Sequence, residues 1–213
     1  MEKKIISLDC DGVVADIGKF LKQTFYNHMN REISPRTIEA LHTNRLKEYS
    51  LEENIDYEKI SSFFANSEKE LFGNLSNLSP VEGAVEGIRE LGEKGIDLVI
   101  NSYRPSKFKD LKQDTKGITK EWFKKNDIYI PFNLAENKEE KYALICNEGI
   151  VTHVDDQVKI IKAVKPLNKT PGFSFVLFKQ FYEIVPEDIA NSLIVAESWK
   201  ELPKILSDLY FKD

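Results

Sequence analysis

The chain has 213 residues, 31% of them charged and 41% hydrophobic, with a formal net charge of −5. That size and balance predict a globular protein with a substantial core, and the negative net charge argues against a nucleic-acid polymer as partner. Met1-Glu2-Lys3-Lys4 leads into only a brief apolar run and no stretch approaches the length of a membrane span, so the expectation is a cytoplasmic protein without a secretory leader or membrane anchor.

The first element is Lys4-Ile5-Ile6-Ser7-Leu8-Asp9-Cys10-Asp11-Gly12-Val13. A short apolar run closed by acids and a glycine predicts a buried strand ending in carboxylates. Residues two apart share a strand face, so Asp9 and Asp11 would aim at one metal or phosphate if the extended backbone reaches that far. Cys10 lies between them and invites a nucleophile reading. Neither Cys10 nor Cys146 has the downstream arginine with which a cysteine phosphatase holds phosphate, so both are read as packing residues. Two cysteines also fit a reducing compartment.

From 17 to 79 the spacing is helical: Ile17, Phe20, Leu21, Phe25 and Met29, then Ile38, Leu41 and Leu46. Ser34-Pro35 reads as an N-cap followed by proline at the first helical position. Ile55, Ile60, Phe63 and Phe64 predict a further helix that closes near Gly73. This aromatic-rich segment reads as a small helical core, or as a lid with a few rings facing a substrate.

Strands and helices alternate beyond Pro80. A helix carries Ala84, Val85, Ile88 and Leu91, and a strand Ile96 to Ile100 leads into Asn101-Ser102-Tyr103-Arg104-Pro105. A helix over Thr119 to Lys125 precedes a third strand, Ile128 to Leu134, and a helix from Glu139 to Glu148 stops at Gly149. Ile150 to Val154 is a strand ending in Asp155-Asp156. Helix Val158 to Val164, strands Phe173 to Phe178 and Leu193 to Ala196, and helix Trp199 to Phe211 complete the pattern. Such alternation predicts a parallel, doubly wound sheet.

Strand ends in an open α/β sheet gather at one edge, where ligands bind. Asp9 with Asp11, Ser102 with Arg104, Lys141 and Asp155 with Asp156 are therefore expected in one crevice. Carboxylates around a point suit Mg²⁺, which keeps waters and accepts substrate phosphate. A hydroxyl and a lysine opposite them would hold phosphate oxygens, giving a phosphoryl-transfer site. His28, His42 and His153 are not spaced as a metal cluster. His153 shares the Asp155 face and reads as a satisfied core histidine or a neighbour of the site.

The chain resembles phosphatases of the haloacid dehalogenase superfamily. Asp9-Cys10-Asp11-Gly12-Val13 matches the first motif, D-x-D-G-[VT]. Leu98 to Ser102 matches the second, with serine where threonine is commoner, and Arg104-Pro105 resembles its T-x-R-P form. Lys141, in preference to Lys138, serves as the third motif, and Val154-Asp155-Asp156 as the fourth. The resemblance implies an α/β fold with a doubly wound, parallel, Rossmann-like sheet and an inserted all-helical cap. The α/β core would be residues 1–15 and 80–213, and the cap 16–79. It also implies Asp9 as nucleophile forming an aspartyl-phosphate and Asp11 as general acid and base. Ser102, Arg104 and Lys141 would be phosphate-binding. Mg²⁺ would be held by Asp9, the Asp11 carbonyl and Asp155, with Asp156 in support. The substrate would be a small phosphorylated metabolite.

Thr119-Lys120-Glu121-Trp122-Phe123 resembles the T-x-x-W-[LF] segment of deoxyribonucleotidase-like members, which points to a nucleoside 5′-monophosphate. A sugar phosphate is the alternative substrate. A phosphomutase and a catalytically silent binding protein are the alternative functions. A calcium-binding loop does not fit, because Val13 stands where a third acid is needed. A phospho-receiver domain lacks the helical insertion.

Overall fold

Apolar runs that end in polar groups become the strands, as the pattern requires. The computed structural model describes residues 4–105, 107–108, 111–112, 114–191 and 193–212, so the outermost ends of the expected core segments lie outside it. The first strand, β1, is Ile5–Leu8, and four helices follow: α1 Ile17–Met29, α2 Pro35–His42, α3 Leu46–Glu52 and α4 Tyr57–Gly73. After a single 3-10 turn at Leu75–Asn77 come α5 Ala84–Glu93 and β2 Asp97–Tyr103. A two-stranded hairpin, β3 Lys107–Phe108 and β4 Leu111–Lys112, precedes α6 Thr115–Lys125. The chain continues through β5 Phe132–Ala135, α7 Lys138–Ile145, β6 Ile150–Asp155 and α8 Val158–Val164. It ends with β7 Ser174–Phe178, α9 Glu187–Ala190, β8 Ile194–Ala196 and α10 Leu202–Tyr210.

Six strands form one sheet in the order β5-β2-β1-β6-β7-β8, and every pairing within it is parallel. From β1 the chain winds first toward β5, then returns past β1 and winds toward β8. The direction reverses beside β1, the position at which α/β sheets open a crevice beyond the strand ends. Helices α5 and α10 pack together on one face, and α7 and α8 on the other. Coverage on both sides explains why β1 and β6 are buried along nearly their whole length. Ile6, Leu8, Leu98, Ile100 and Val154 join Leu91, Trp199 and Leu206 in the main core.

The helices between β1 and β2 have their own smaller core, of Phe25, Ile33, Ile38, Tyr49, Ile60 and Phe63. Phe63 stacks edge-on against both Phe25 and Phe64 at 5.1 Å. Their starts are locally encoded. The Asp16 side chain accepts from Lys19 N at 2.7 Å, Ser34 and Thr37 form a reciprocal capping box, and Asp56 accepts from Lys59 N at 3.1 Å. Two paired crossings attach this insertion to the sheet. Asp16 N donates to Ser79 O and Val81 N to Val14 O, both at 2.8 Å. Indole N–H groups hold the flanks, Trp199 donating to Val13 O and Trp122 to Leu78 O at 2.7 Å. No helix among the described residues is long and apolar enough to cross a membrane.

Several element ends depart from expectation, each for a local reason. The expected strand from Ile128 begins only at Phe132, because Pro131 has no N–H to give the ladder, although its carbonyl accepts from Ile100 N at 2.9 Å. Helix α7 stops at Ile145, three residues early, and Gly149 takes φ 85° to turn the chain into β6. The expected helix start at Trp199 moves to Leu202, since the Trp199 indole is buried at Val13. Spacing through Ile38, Leu41 and Leu46 is divided into two helices by Asn44 at φ 58°.

Candidate active site

Register decides what meets at the sheet edge. Leu8 lies opposite Ile100 of β2 and Val154 of β6, and Asp9 N donates to Val154 O at 2.8 Å. The next residues on β1 and β6, Asp9 and Asp155, therefore emerge together, with Ser102 two residues beyond Ile100 and Asp156 one step beyond Asp155. One carboxylate oxygen from each of Asp9, Asp155 and Asp156 lies within 4.8 Å of the others. All three residues are buried.

Lys141 is the cation that makes this tolerable. Asn137 caps α7 by accepting from Glu140 N at 2.8 Å, which fixes the first turn and sends Lys141 inward. Its Nζ donates to Asp155 Oδ2 at 2.8 Å and lies 3.0 Å from Asp9 Oδ1. Both carboxylates hold its proton more firmly than usual, overcoming the opposite pull of burial. Lys138, the other candidate, is exposed at the cleft.

The acids differ sharply in environment. Burial pushes the Asp9 carboxyl up to about 7, with Lys141 pulling down against the neighbouring Asp155 and Asp11. Asp156 is raised well above the carboxylate range by burial and by Asp155 and Asp9. Burial would raise Asp155 too, but Lys141 and His153 hold it well below the ordinary range.

Behind Asp155 a buried polar chain crosses the sheet. Asn133 Nδ2 donates to Asn101 Oδ1, Asn101 Nδ2 donates to Ser7 Oγ, and Ser7 Oγ meets His153 Nδ1, each at 2.9 Å. With Asn101 donating to Ser7, the serine proton goes to Nδ1, and the imidazole turns Nε2–H to Asp155 Oδ2 at 3.2 Å. Burial keeps His153 below its usual range, so the neutral ring fits this chain. His153 is therefore both a satisfied core residue and a neighbour of the site.

Asp9 and Asp11 do not share one target. The strand ends at Leu8 and the backbone turns, so Asp11 faces Arg104 instead. Arg104 Nε donates to Asp11 Oδ2 at 2.9 Å, one terminal NH₂ donates to Asp11 Oδ1, and the other to Thr119 Oγ1 at 2.9 Å. Arg104 is buried, and these donors are directed at Asp11 and Thr119 rather than into the cleft, unlike the expected phosphate contact. The Asp11 carboxylate likewise stands outside the Asp9, Asp155 and Asp156 cluster. Thr119, singled out with Trp122, buttresses this pair, and Trp122 anchors the neck of the insertion. Cys10 is buried in the main core with its thiol pushed up by burial, which leaves it inert.

The cleft between sheet edge and insertion has a volume of about 440 Å³. Asp9, Asp11, Ser102, Lys141 and Asp156 line one side, and Ile17, Leu21, Glu68, Leu71 and Phe72 the other. A larger hollow of about 740 Å³, around Lys19, Lys22 and Phe181, lies away from these acids.

Pattern reading missed Tyr182, whose hydroxyl donates to Asp156 Oδ2 at 2.5 Å, and Gln180, whose amide donates to Gly12 O at 2.5 Å. Both follow β7 at the same sheet edge, and that position was the available signal. Gly12 closes the floor at φ 87°, where a Cβ would come within 2.2 Å of Asp156 Oδ2 and 2.6 Å of Tyr182 Oη. Only glycine fits there.

These residues suit a hard cation. Among the described residues, Asp9 Oδ1 and Asp156 Oδ1 are buried without a hydrogen-bond partner, although Asp9 Oδ1 is at ion-pair distance from Lys141. Buried polar oxygens of this kind need a partner, and an all-oxygen donor set is what Mg²⁺ takes. Ser102 Oγ is likewise buried without an aligned partner among the described residues.

Solved structures share the fold at low identity. A predicted phosphoglycolate phosphatase from Haemophilus somnus is 14% identical with a TM-score of 0.54, the match covering 97% of this chain and 99% of that one. A haloacid dehalogenase-like hydrolase from Streptococcus pneumoniae is 12% identical, TM-score 0.56, covering 96% and 99%. A crystal structure described as a dehalogenase is 16% identical, TM-score 0.59, covering 95% and 96%. No curated protein matches by sequence. The profile of the family described as "5′ nucleotidase, deoxy (Pyrimidine), cytosolic type C protein" matches residues 3–209. The chain belongs to that family, and with it to the phosphatases of the haloacid dehalogenase superfamily.

Proposed function

We propose that the protein is a Mg²⁺-dependent hydrolase of nucleoside 5′-monophosphates that works in the cytosol through an aspartyl-phosphate on Asp9. The observation that carries this reading is Lys141 held between Asp9 and Asp155 at the floor of the cleft. A buried carboxylate beside a fixed ammonium is a nucleophile whose attack on a phosphate dianion meets compensated charge. Asp9, Asp155 and the Asp11 carbonyl, with Asp156 in support, would hold Mg²⁺, which would supply further neutralisation of the phosphate oxygens.

In the first half-reaction an Asp9 oxygen attacks phosphorus in line with the leaving 5′-oxygen. Ser102 and Lys141 hold the equatorial oxygens, and Ser102 Oγ is buried and otherwise without an aligned partner among the described residues. Asp11 protonates the departing oxygen and then activates the water that releases phosphate from Asp9. Both Asp11 oxygens accept from Arg104, which holds the carboxyl in place while each oxygen keeps a further lone pair for the proton it transfers. Arg104 is thereby a residue that positions Asp11 rather than one that holds phosphate. Residues 16–79 form the cap domain over the 1–15 and 80–213 core, and their Leu21, Leu71 and Phe72 give the nucleoside an apolar wall.

Phosphate release from purified protein tests the reading, with a panel of ribo- and deoxyribonucleoside monophosphates against sugar phosphates. Hydrolysis of nucleotides that stops in excess chelator and returns with Mg²⁺ is the expected result. Preference for sugar phosphates, or hydrolysis that persists in chelator, overturns it.

A further inference from the structure

The loop after β7 does more than close the fold, because it carries a hydroxyl that reaches the carboxylate cluster from outside the four motifs. We propose that Tyr182 is a positioning residue that presents Asp156 to the bound cation. This rests on the Mg²⁺ reading above.

Asp156 is buried, and its two oxygens have different fates. Oδ2 accepts from the Tyr182 hydroxyl at 2.5 Å, while Oδ1 has no hydrogen-bond partner among the described residues. One oxygen tied from behind and one left free is the arrangement by which outer groups orient a carboxylate toward a metal. Without the hydroxyl, Asp156 would lose its hold and turn among acids that repel it.

Tyr182 itself is firmly placed. Gln180 ties the loop to Gly12 O at 2.5 Å, and Lys179 N donates to Ala196 O at 2.8 Å. Glu183, next in the chain, accepts from Val158 N at 2.8 Å at the start of α8. The Tyr182 carbonyl lies 3.1 Å from His42 Nε2, and its ring packs on the core of the insertion. The ring also stands edge-on to Phe181 at 5.2 Å. Gly12 has no side chain because the Asp156 carboxylate and this hydroxyl fill the space a Cβ would take. A hydroxyl fixed from so many directions orients its partner at little entropic cost.

The test is calorimetric titration of Mg²⁺ into the substrate-free full chain. Tyr182→Phe removes one oxygen and keeps the ring, and circular dichroism checks that the fold is retained. The expected result is Mg²⁺ binding weakened about tenfold or more, with turnover at saturating Mg²⁺ returning close to wild type. Phe181→Leu disturbs the same loop without touching the hydroxyl, and should leave Mg²⁺ affinity at the wild-type value. Unchanged affinity in Tyr182→Phe, or an equal loss in Phe181→Leu, overturns the inference. A wild-type chain that hydrolyses nucleotides yet takes up no Mg²⁺ overturns the metal reading and this inference together. Wild-type binding with Tyr182→Phe unaffected overturns this one alone.

Discussion

The two walls of the cleft are built in opposite ways. The sheet wall buries charge: Asp9, Asp155, Asp156 and Lys141 stand at strand ends and on the first turn of α7, locked by ion pairs and a polar chain running back to Asn133. The insertion wall is mostly apolar, with Ile17, Leu21, Leu71 and Phe72 on α1 and α4, whose shared core includes the rings of Phe25 and Phe63. Position is over-determined on the first wall, as a reacting site requires. On the second it is set by packing, which suits holding a substrate by its shape. On the proposed function, chemistry and recognition would thus be separated by the kind of secondary structure that carries each.

That division predicts unequal costs when either wall is damaged. Asp9→Asn should lose turnover by at least about a thousandfold with the fold intact, because an amide does not attack phosphorus. Phosphate release together with circular dichroism checks it. Lys141→Ala should cost about a hundredfold in kcat, since a cation beside the reacting phosphate contributes a few kcal/mol. Lys138→Ala, at the exposed mouth, should stay near wild type, and the reverse ranking would move the key cation to the other lysine. In the core of the insertion, Phe63→Ala should lower unfolding stability by about 3 kcal/mol through the cavity it leaves. Turnover per folded molecule should change little, so a large loss of kcat at full occupancy would break the separation.

The smallest effect is in pH. Asp9, raised to about 7, and Asp156, also raised, bind protons more tightly folded than unfolded. In metal-free protein they favour the folded state at low pH, and this is lost as pH rises through the folded values. His153, lowered from 6.5, acts oppositely below about that pH, where the unfolded chain takes up its proton. Its share cancels when thermal midpoints with and without Mg²⁺ are subtracted. The Mg²⁺-induced rise in midpoint should therefore be larger at pH 8 than at pH 5.5. An equal rise at both would detach Asp9 and Asp156 from the cation site.

Sheet and acids were legible in sequence because each depends on local signals. Apolar runs end in Asp9, Ser102 and Asp155, and a parallel sheet brings such ends to one edge whatever the loops do. Lys141 was legible for the same reason, as a helix feeding β6 must start at that edge. What stayed hidden depends on three-dimensional partners. Nothing in Tyr103-Arg104-Pro105 says that the guanidinium turns onto Asp11, since that follows from a backbone turn after Leu8. Tyr182 sits in Phe178-Lys179-Gln180-Phe181-Tyr182, where the aromatics look like core. The Ser7–His153 contact joins strands 146 residues apart. Element ends slipped where one side chain or a missing N–H outweighed periodicity, as at Trp199 and Pro131.

The paired crossings at Val14–Asp16 and Ser79–Val81 make the insertion, mechanically, a loop whose mouth is stitched shut. Its two ends stay at hydrogen-bond distance whatever lies between them, so lengthening or shortening the helical segment leaves the spacing of Asp9 and Asp155 unchanged. The cost of varying that length is only the slow growth of loop-closure entropy. The two plies of the stitch are also unequal. Pro80 has a fixed φ and restricts Ser79 before it, whereas Ala15 and Asp16 carry no such constraint.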